Sequence, residues 1–191
     1  LIQTGGKISI LKSLYMSNKT RNPKVKGINE FVNNVVYNFG NANTTYADHS
    51  ISADAYILGG ESSGESNVTL LNNYFIAGPA TPQSKSTPFS RGNGNFNLYQ
   101  RGNYYDRNYD GVLNGTEIQA NSTWYPGIEP ENFKNAEDYS SYPTIAPGMS
   151  ASEAYQWIVS NVGATFPNRD QVDAGMIADL VSIGKSGQYM Y

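Results

Sequence analysis

The segment from Asp106 to Glu117 has the residue types and spacing of a calcium-binding loop. It reads DRNYDGVLNGTE and fits the pattern D-x-[DN]-x-[DN]-G-x5-E at every fixed position. Oxygen donors at this spacing suit Ca²⁺, and Gly111 allows the sharp turn that such a loop needs. The predicted ligands are Asp106, Asn108, Asp110, the carbonyl of Val112, Asn114 through a water molecule, and Glu117.

The flanks of this loop differ from those of a paired helical calcium sensor. Tyr104-Tyr105 has the composition of a strand, and residues 121–127 are not helical in pattern. We therefore expect a structural Ca²⁺ loop, with apolar Leu113 packed inward. The alternative is a plain turn stabilised by its Asn and Asp side chains.

A second candidate for chemistry is a cationic turn. Arg21-Asn22-Pro23 is followed by Lys24 and Lys26, and an apolar segment begins soon after. Clustered cations of this kind suit an acidic ligand. The alternative is that Arg21 only ties the turn together through backbone carbonyls.

Short segments of similar pattern predict the elements that position these residues. Each is rich in β-branched or aromatic residues and carries small or amide residues at its centre. The segments are 8–15, 31–37, 68–76 and 96–105, centred on Ser13, Asn33-Asn34, Asn72-Asn73 and Gly102-Asn103, with a further strand at 53–58. Stacked coils with asparagines at equivalent bends are typical of a parallel β-helix.

The C-terminal part predicts helices. Ser150 or Ser152 can cap a first helix, with Glu153 as the capping-box partner of Ser150 and Gly163 at its end. A second helix is predicted over residues 172–181. We expect one domain, with coils and loops in 1–149 and a helical segment in 150–191 that covers the side or end of the solenoid.

Composition limits the function classes. The 191 residues carry a net charge of −3, which gives no support for nucleic-acid binding, and no apolar run is long enough to cross a membrane. There are no cysteines, so thiolate metal sites are excluded. The 15 tyrosines suit sugar recognition, because the ring packs on C–H groups while the hydroxyl forms hydrogen bonds.

Together, these segments resemble the pectate lyase family of secreted polysaccharide lyases. The resemblance rests on Arg21, Pro23 and Lys26 before the strand FVNNVVYN, on the segment LLNNYF at 70–75, and on Arg169-Asp170 with Val172-Asp173. It covers residues 8–179 and implies the C-terminal half of a right-handed parallel β-helix. It also implies eliminative cleavage of α-1,4-linked galacturonan, with a secreted, periplasmic or cell-surface location.

The resemblance assigns roles to the cationic turn. In the family, the first arginine of the motif is the base that removes the proton beside the uronate carboxylate, which places that role on Arg21. The second arginine, which contacts the uronate, corresponds to Lys26, and Lys24 adds positive charge. The family's acidic Ca²⁺ ligands lie upstream and none can be placed on residues 1–20, so we expect this chain to hold part of an active site. Arg91 is a further candidate for substrate binding.

The remaining candidates have weaker support. His49 beside Asp48 is expected to lie on a surface loop, and Arg169, Asp170 and Asp173 are expected to tie the helices to the coils. Five N-glycosylation sequons begin at Asn18, Asn43, Asn67, Asn114 and Asn121. We expect a monomer that binds polygalacturonate or pectin. The alternative is a noncatalytic β-solenoid that binds acidic glycans or acts as a surface scaffold.

Overall fold

The computed structural model describes residues 2, 7–42, 53–59, 64–135 and 148–187. Within these ranges the chain forms twelve strands, one short 3-10 helix and two α-helices. The strands are β1 (Lys7–Leu11), β2 (Leu14–Met16), β3 (Lys24–Val25), β4 (Ile28–Val32), β5 (Val35–Tyr37), β6 (Tyr56–Leu58), β7 (Ser66–Leu71), β8 (Tyr74–Ile76), β9 (Phe89–Ser90), β10 (Phe96–Arg101), β11 (Tyr104–Asp106) and β12 (Thr116–Glu117). The 3-10 helix is Pro130–Asn132, and the α-helices are α1 (Ala151–Asn161) and α2 (Gln171–Val181).

The strands form three sheets that the chain visits in turn. Sheet 1 has the order β1-β4-β7-β10, sheet 2 the order β2-β5-β8-β11-β12, and sheet 3 the order β3-β6-β9. All these pairs are parallel except β11 with β12, which is antiparallel. Parallel sheets built in this cyclic order are compatible with the predicted β-helix.

Each predicted strand segment is divided into two strands by a two-residue bend. The first residue of each bend has a positive φ, namely Lys12, Asn33, Asn72 and Gly102 at 50°, 57°, 52° and 64°. The left-handed conformation turns the chain from sheet 1 into sheet 2, and asparagine and glycine adopt it most readily. At Gly102 a Cβ atom would lie 2.1 Å from the Asn72 side-chain oxygen, so a side chain has no room there. The predicted strand at 53–58 is shorter, because only Tyr56–Leu58 pairs.

The second residue of each bend forms the predicted asparagine ladder. The side-chain oxygen of Asn34 accepts the backbone N–H of Ser13 at 2.9 Å. That of Asn73 accepts the N–H of Asn34 at 2.9 Å, and that of Asn103 accepts the N–H of Asn73 at 3.0 Å. The three asparagines are fully buried. Because each amide satisfies a backbone group of the neighbouring coil, the ladder fixes the register of the stack.

An aromatic core fills the space between the sheets. Phe31 contacts Tyr56 edge-on at 5.5 Å between ring centroids, and Phe89 stacks on Tyr125 at 4.3 Å. Phe75 meets Phe89 at 5.0 Å. Alternation along each strand places these rings on the inner face and leaves their neighbours on the outer face. The residues that alternate with these core rings along each strand therefore point outward.

The two helices form as predicted, with small differences at their ends. Ser150 caps α1 in a complete capping box with Glu153, and the helix ends at Asn161, just before Gly163. α2 begins one residue earlier than predicted, and Asp170 caps it through the N–H of Asp173. Ala151, Tyr155 and Ile158 of α1 pack on Val35, Tyr37, Tyr74 and Ile76 of sheet 2. No helix in the described part of the chain could cross a membrane.

The expected role of Arg169 is corrected by its contacts. Its guanidinium donates to the carbonyls of Val159 and Val162 at 2.8 and 3.0 Å. Asp173 accepts the N–H of Ala164 at 2.6 Å. These bonds join the end of α1 to the start of α2, because carbonyls at a helix C-terminus attract cations. In the described contacts, Arg169 ties the helices to each other and not to the coils.

Candidate functional site

Sheet 3 carries the predicted cationic residues. Lys24 pairs with Ile57, and Ile57 pairs with Ser90, so the three residues form one row across the sheet. Their neighbours Tyr56, Leu58 and Phe89 belong to the aromatic core. Strand alternation therefore directs Lys24, Ile57 and Ser90 to the outer face. Lys24 and Ile57 are nevertheless buried on this face, and the hydroxyl oxygen of Ser90 is buried too, so this row is not an open surface.

Arg21 lies in an exposed turn immediately before β3. Its φ of 62° puts it in the left-handed region. The next residue, Asn22, is buried; its N–H donates to the carbonyl of Ala55 at 2.6 Å, and its side-chain amide donates to the carbonyl of Asp54 at 3.3 Å. The turn is thus bonded to the coil beside it, while the Arg21 side chain faces solvent.

A buried carboxylate lies beneath this turn. Asp54 has no exposed side-chain area and pairs with Lys85 at 3.0 Å, where the Lys85 side chain keeps 19% exposure. The hydroxyl of Thr20, next to Arg21, donates to the other oxygen of Asp54 at 3.3 Å. Because the register relates Lys24 to Ile57, Arg21 and Asp54 occupy equivalent positions in successive coils. The Asp54–Lys85 pair therefore supports the turn from within the protein.

The other predicted substrate-binding residues differ in their exposure and in their position along sheet 3. Lys26 follows β3 and is half-buried, and its backbone N–H donates to the carbonyl of Ile2 at 3.2 Å. Lys24 is only 7% exposed, so little of it is open to a ligand. Arg91 is exposed beyond the end of β9, two strands from β3, which is about 10 Å across a sheet. Arg21 precedes its strand and Arg91 follows its own, so the two lie toward opposite ends of sheet 3.

Sequence reasoning missed Asp54 and Lys85. Neither residue lies in a motif, and they are 31 positions apart in the chain. Only the 33-residue offset between Lys24 and Ile57 brings Asp54 level with Arg21. His49 and Asp48 lie outside the described residues.

The predicted calcium loop joins β11 to β12. Asp106 is buried at the end of β11, and one of its oxygens accepts the N–H of Asn114 at 3.1 Å. The side-chain amide of Asn108 donates to the side-chain oxygen of Asn114 at 2.7 Å. The side-chain amide of Asn114 donates to the carboxylate of Asp110 at 2.9 Å. Gly111 has a φ of 82°, as the sharp turn requires, and Leu113 packs against the apolar cluster under α1 as predicted. The structure thus brings together four of the predicted side-chain ligands.

Glu117 does not join this group. It lies in β12 opposite Tyr104, and no hydrogen bond in the described part of the chain connects its carboxylate to the loop. In the same described ranges, no three acidic or histidine side chains converge as a ready metal cluster. The remaining donors are carboxylate, amide and carbonyl oxygens, which suit a hard cation such as Ca²⁺. Asp106, Asn108, Asp110 and Asn114 are the side chains that would hold it.

The two carboxylates of the loop differ in environment. Burial raises the pKa of Asp106, although the backbone N–H groups of Asn114 and Asn108 act in the opposite direction. Hydrogen bonds from the Asn114 side chain and the Val112 N–H lower the pKa of exposed Asp110, and Lys185 adds to this effect. A cation in the loop would offset the desolvation of Asp106.

A cavity of about 560 Å³ adjoins the predicted calcium loop at Lys185. It is found between the edge of sheet 2 and α2, with Met16, Val172, Met176 and Lys185 among its lining residues. None of the predicted site residues lines this cavity.

Comparison with known proteins identifies relatives for almost the whole chain. It is 44% identical over 187 residues to a probable pectate lyase C of Aspergillus flavus and 44% identical over 187 residues to one of Aspergillus oryzae. A probable pectate lyase C of Emericella nidulans is 43% identical over 187 residues. No family model matches the chain, and no solved structure matches it.

The alignments cover 98% of this chain but only about 40% of the curated relatives. The relatives therefore extend beyond the region compared. The resemblance to the pectate lyase family that the sequence predicts is confirmed by homology along nearly all of this chain.

Proposed function

We propose that this chain is part of a polysaccharide lyase that cleaves α-1,4-linked galacturonan by β-elimination, on a right-handed parallel β-helix. The observation that carries the proposal is the homology to probable pectate lyases together with an exposed Arg21 in the cationic turn. The cyclic order of the three sheets supports the fold. The proposal includes an acidic polysaccharide as the partner and a location outside the cytoplasm.

In the proposed reaction, Arg21 acts in its neutral guanidine form, takes the proton at C5 of a uronate residue and becomes the guanidinium cation. The C5–H electron pair forms the C4–C5 double bond, and the bond from C4 to the glycosidic oxygen breaks with its electrons on that oxygen, which takes a proton from water. This step requires neutralisation of the uronate carboxylate, because the C5 proton is otherwise too weakly acidic. Lys26 provides positive charge for this purpose, and Lys24 contributes through its small exposed area.

The support for Arg21 as the base is its position. The backbone bonds of Asn22 and the Thr20–Asp54 bond hold both neighbours of Arg21 in place. A reacting group held in a fixed position avoids much of the entropic cost of reaching its geometry. The polysaccharide would then lie beside the exposed Arg21, with exposed Arg91 near a more distant part of the polymer.

The reaction class is tested with the natural protein that contains this chain. Polygalacturonate and Ca²⁺ are incubated with it, and the products are separated and identified. We expect uronides with a C4–C5 double bond, detected by their ultraviolet absorbance. Saturated products would indicate hydrolysis, and binding without cleavage would favour the noncatalytic glycan-binding scaffold.

We also propose that the Asp106–Glu117 loop binds Ca²⁺ as a structural ion. When bound, the ion would neutralise the carboxylates and hold the loop against β11. At a free Ca²⁺ concentration 100 times the dissociation constant, linkage predicts a gain in unfolding free energy of about 2.7 kcal/mol. The sequence pattern and the convergence of Asp106 and Asp110 on Asn114 support this role.

The test of the loop is the melting temperature with Ca²⁺ and with a chelator. We expect Ca²⁺ to raise it, and Asp110→Ala to abolish the rise. Glu129→Ala, an exposed acidic residue outside the loop, is the matched control and should keep the full rise. Equal melting temperatures with Ca²⁺ and with chelator would favour the plain turn.

A further inference from the structure

The sequons in the described part of the chain differ in the hydrogen bonds that their asparagine side chains form. N-linked glycosylation joins the side-chain nitrogen of asparagine in N-x-[ST] to a sugar. The reaction forms a bond from Nδ2 to C1 of an N-acetylglucosamine. It breaks the bond from C1 to the diphosphate of the lipid carrier. The lipid diphosphate leaves with the electron pair of that bond, and Nδ2 loses one proton. The added sugar needs space at Nδ2 and does not involve the side-chain oxygen.

At three of the sequons, Nδ2 already faces a protein acceptor. Asn18 donates to Asn22 at 2.9 Å, and Asn114 donates to Asp110 at 2.9 Å within the proposed calcium loop. Asn67 donates to Glu65 at 3.3 Å, and its oxygen accepts a hydrogen bond from Asn97 on the next strand. A glycan at any of these three nitrogens would displace or crowd the contact. Asn43 lies outside the described residues.

Asn121 is arranged differently. Its side-chain oxygen accepts the N–H of Trp124 at 3.1 Å, and its backbone carbonyl accepts the N–H of Tyr125 at 2.9 Å. Its Nδ2 has no acceptor among the described residues. Ser122 and Thr123 are exposed as well. The bonds that hold this turn use atoms that a glycan leaves unchanged.

A shallow recess of about 250 Å³ adjoins Asn121. Ile128, Pro130 and Phe133 are among its apolar lining residues, and Asn121 also lines it. Apolar and aromatic side chains pack on the C–H groups of sugars and on methyl groups such as that of an N-acetyl substituent. The recess can therefore receive the first sugar of a glycan on Asn121.

We propose that Asn121 is an N-glycosylation site of this protein, with the first N-acetylglucosamine lying over the recess beside Phe133. The curated relatives come from Aspergillus and Emericella, which are eukaryotes whose secretory pathway contains the oligosaccharide donor. The proposal rests on the proposed location outside the cytoplasm but not on lyase activity.

The test uses the natural protein expressed in an Aspergillus host. Peptide N-glycosidase in ¹⁸O-labelled water converts each glycosylated asparagine into a labelled aspartate, which peptide mass spectrometry locates. We expect the label at Asn121. Thr123→Val should remove it, while Ser122→Ala, which keeps the sequon, should retain it. Thr69→Val, which destroys the Asn67 sequon, should leave the label at Asn121 unchanged.

The proposal is overturned if Asn121 is unmodified, whether the protein is secreted or stays in the cell. A label found only at other sequons overturns it as well. The recess is tested separately by comparing the melting temperatures of glycosylated and deglycosylated protein. We expect deglycosylation to lower the melting temperature and Phe133→Ala to reduce that difference. An unchanged difference in Phe133→Ala would overturn the contact between the sugar and the recess, even with Asn121 modified.

Discussion

At the scale of single residues, the Asp54–Lys85 pair supports the turn that carries Arg21. The sequence identifies Arg21 through its turn and its neighbours, because proline, asparagine and lysine are informative locally. It gives no sign of Asp54, because that residue reaches the turn only through the stacking of coils. Site residues within a motif can be predicted, whereas those that depend on the register between coils require the structure.

Removal of the Lys85 charge and removal of the Asp54 charge should lower the unfolding free energy by different amounts. Lys85→Met keeps most of the aliphatic stem but removes the Lys85 charge from the buried Asp54 carboxylate, and we expect a loss of about 3 kcal/mol in unfolding free energy. Asp54→Asn should cost less, because Lys85 is 19% exposed and can turn toward water. Urea unfolding of both variants measures the difference. Equal losses, or a larger loss for Asp54→Asn, would contradict this account of the turn.

At the scale of elements, the asparagine ladder is the feature that the sequence predicts best. The paired asparagines indicate equivalent bends, and Asn34, Asn73 and Asn103 occupy them. The sequence did not show that each bend separates strands of two different sheets, because periodicity does not distinguish one bent strand from two short ones. The positive φ at Asn33 and Asn72 supplies that distinction.

Removal of a central ladder residue should be costly. Asn73→Ala deprives the buried N–H of Asn34 and the carbonyl of Phe31 of their partners, and we expect a loss of about 2–4 kcal/mol in unfolding free energy. The control is Asn67→Ala, in a half-exposed row where water can replace the lost bonds, with an expected loss of about 1 kcal/mol or less. Equilibrium denaturation compares the variants. A loss for Asn73→Ala no larger than that of the control would exclude a stabilising ladder.

The capping box of α1 gives a pH-dependent prediction. Hydrogen bonds from the backbone N–H and the hydroxyl of Ser150 lower the pKa of Glu153 from its ordinary 4.5. Because the folded value lies below the unfolded one, this contribution to stability is present above about pH 4.5 and is lost as the pH falls through the folded pKa. Titration followed by NMR should show that Ser150→Ala raises the pKa of Glu153. Ser152→Ala, in the same helical turn, should leave the pKa of Glu153 unchanged. An equal effect of both variants would rule out the capping box as the cause.

At the scale of the whole molecule, the chain corresponds to about 40% of the length of its relatives. The described residues hold an exposed Arg21, a half-buried Lys26 and an oxygen-rich loop, and they show no ready cluster of three acidic metal ligands. That the chain provides part of an active site stays a prediction. The catalytic account therefore has to be tested in the natural protein that contains it.

The most direct measurement is the turnover of polygalacturonate by Arg21→Ala in that protein. A base acts in the transition state, so we expect kcat to fall by about 100-fold or more, with a much smaller change in KM. Lys26→Ala should mainly raise KM, because in the proposed reaction its cation would contact the uronate in both ground and transition states. Near-full turnover in Arg21→Ala would contradict the role of Arg21 as the base and would leave the glycan-binding scaffold as the better account.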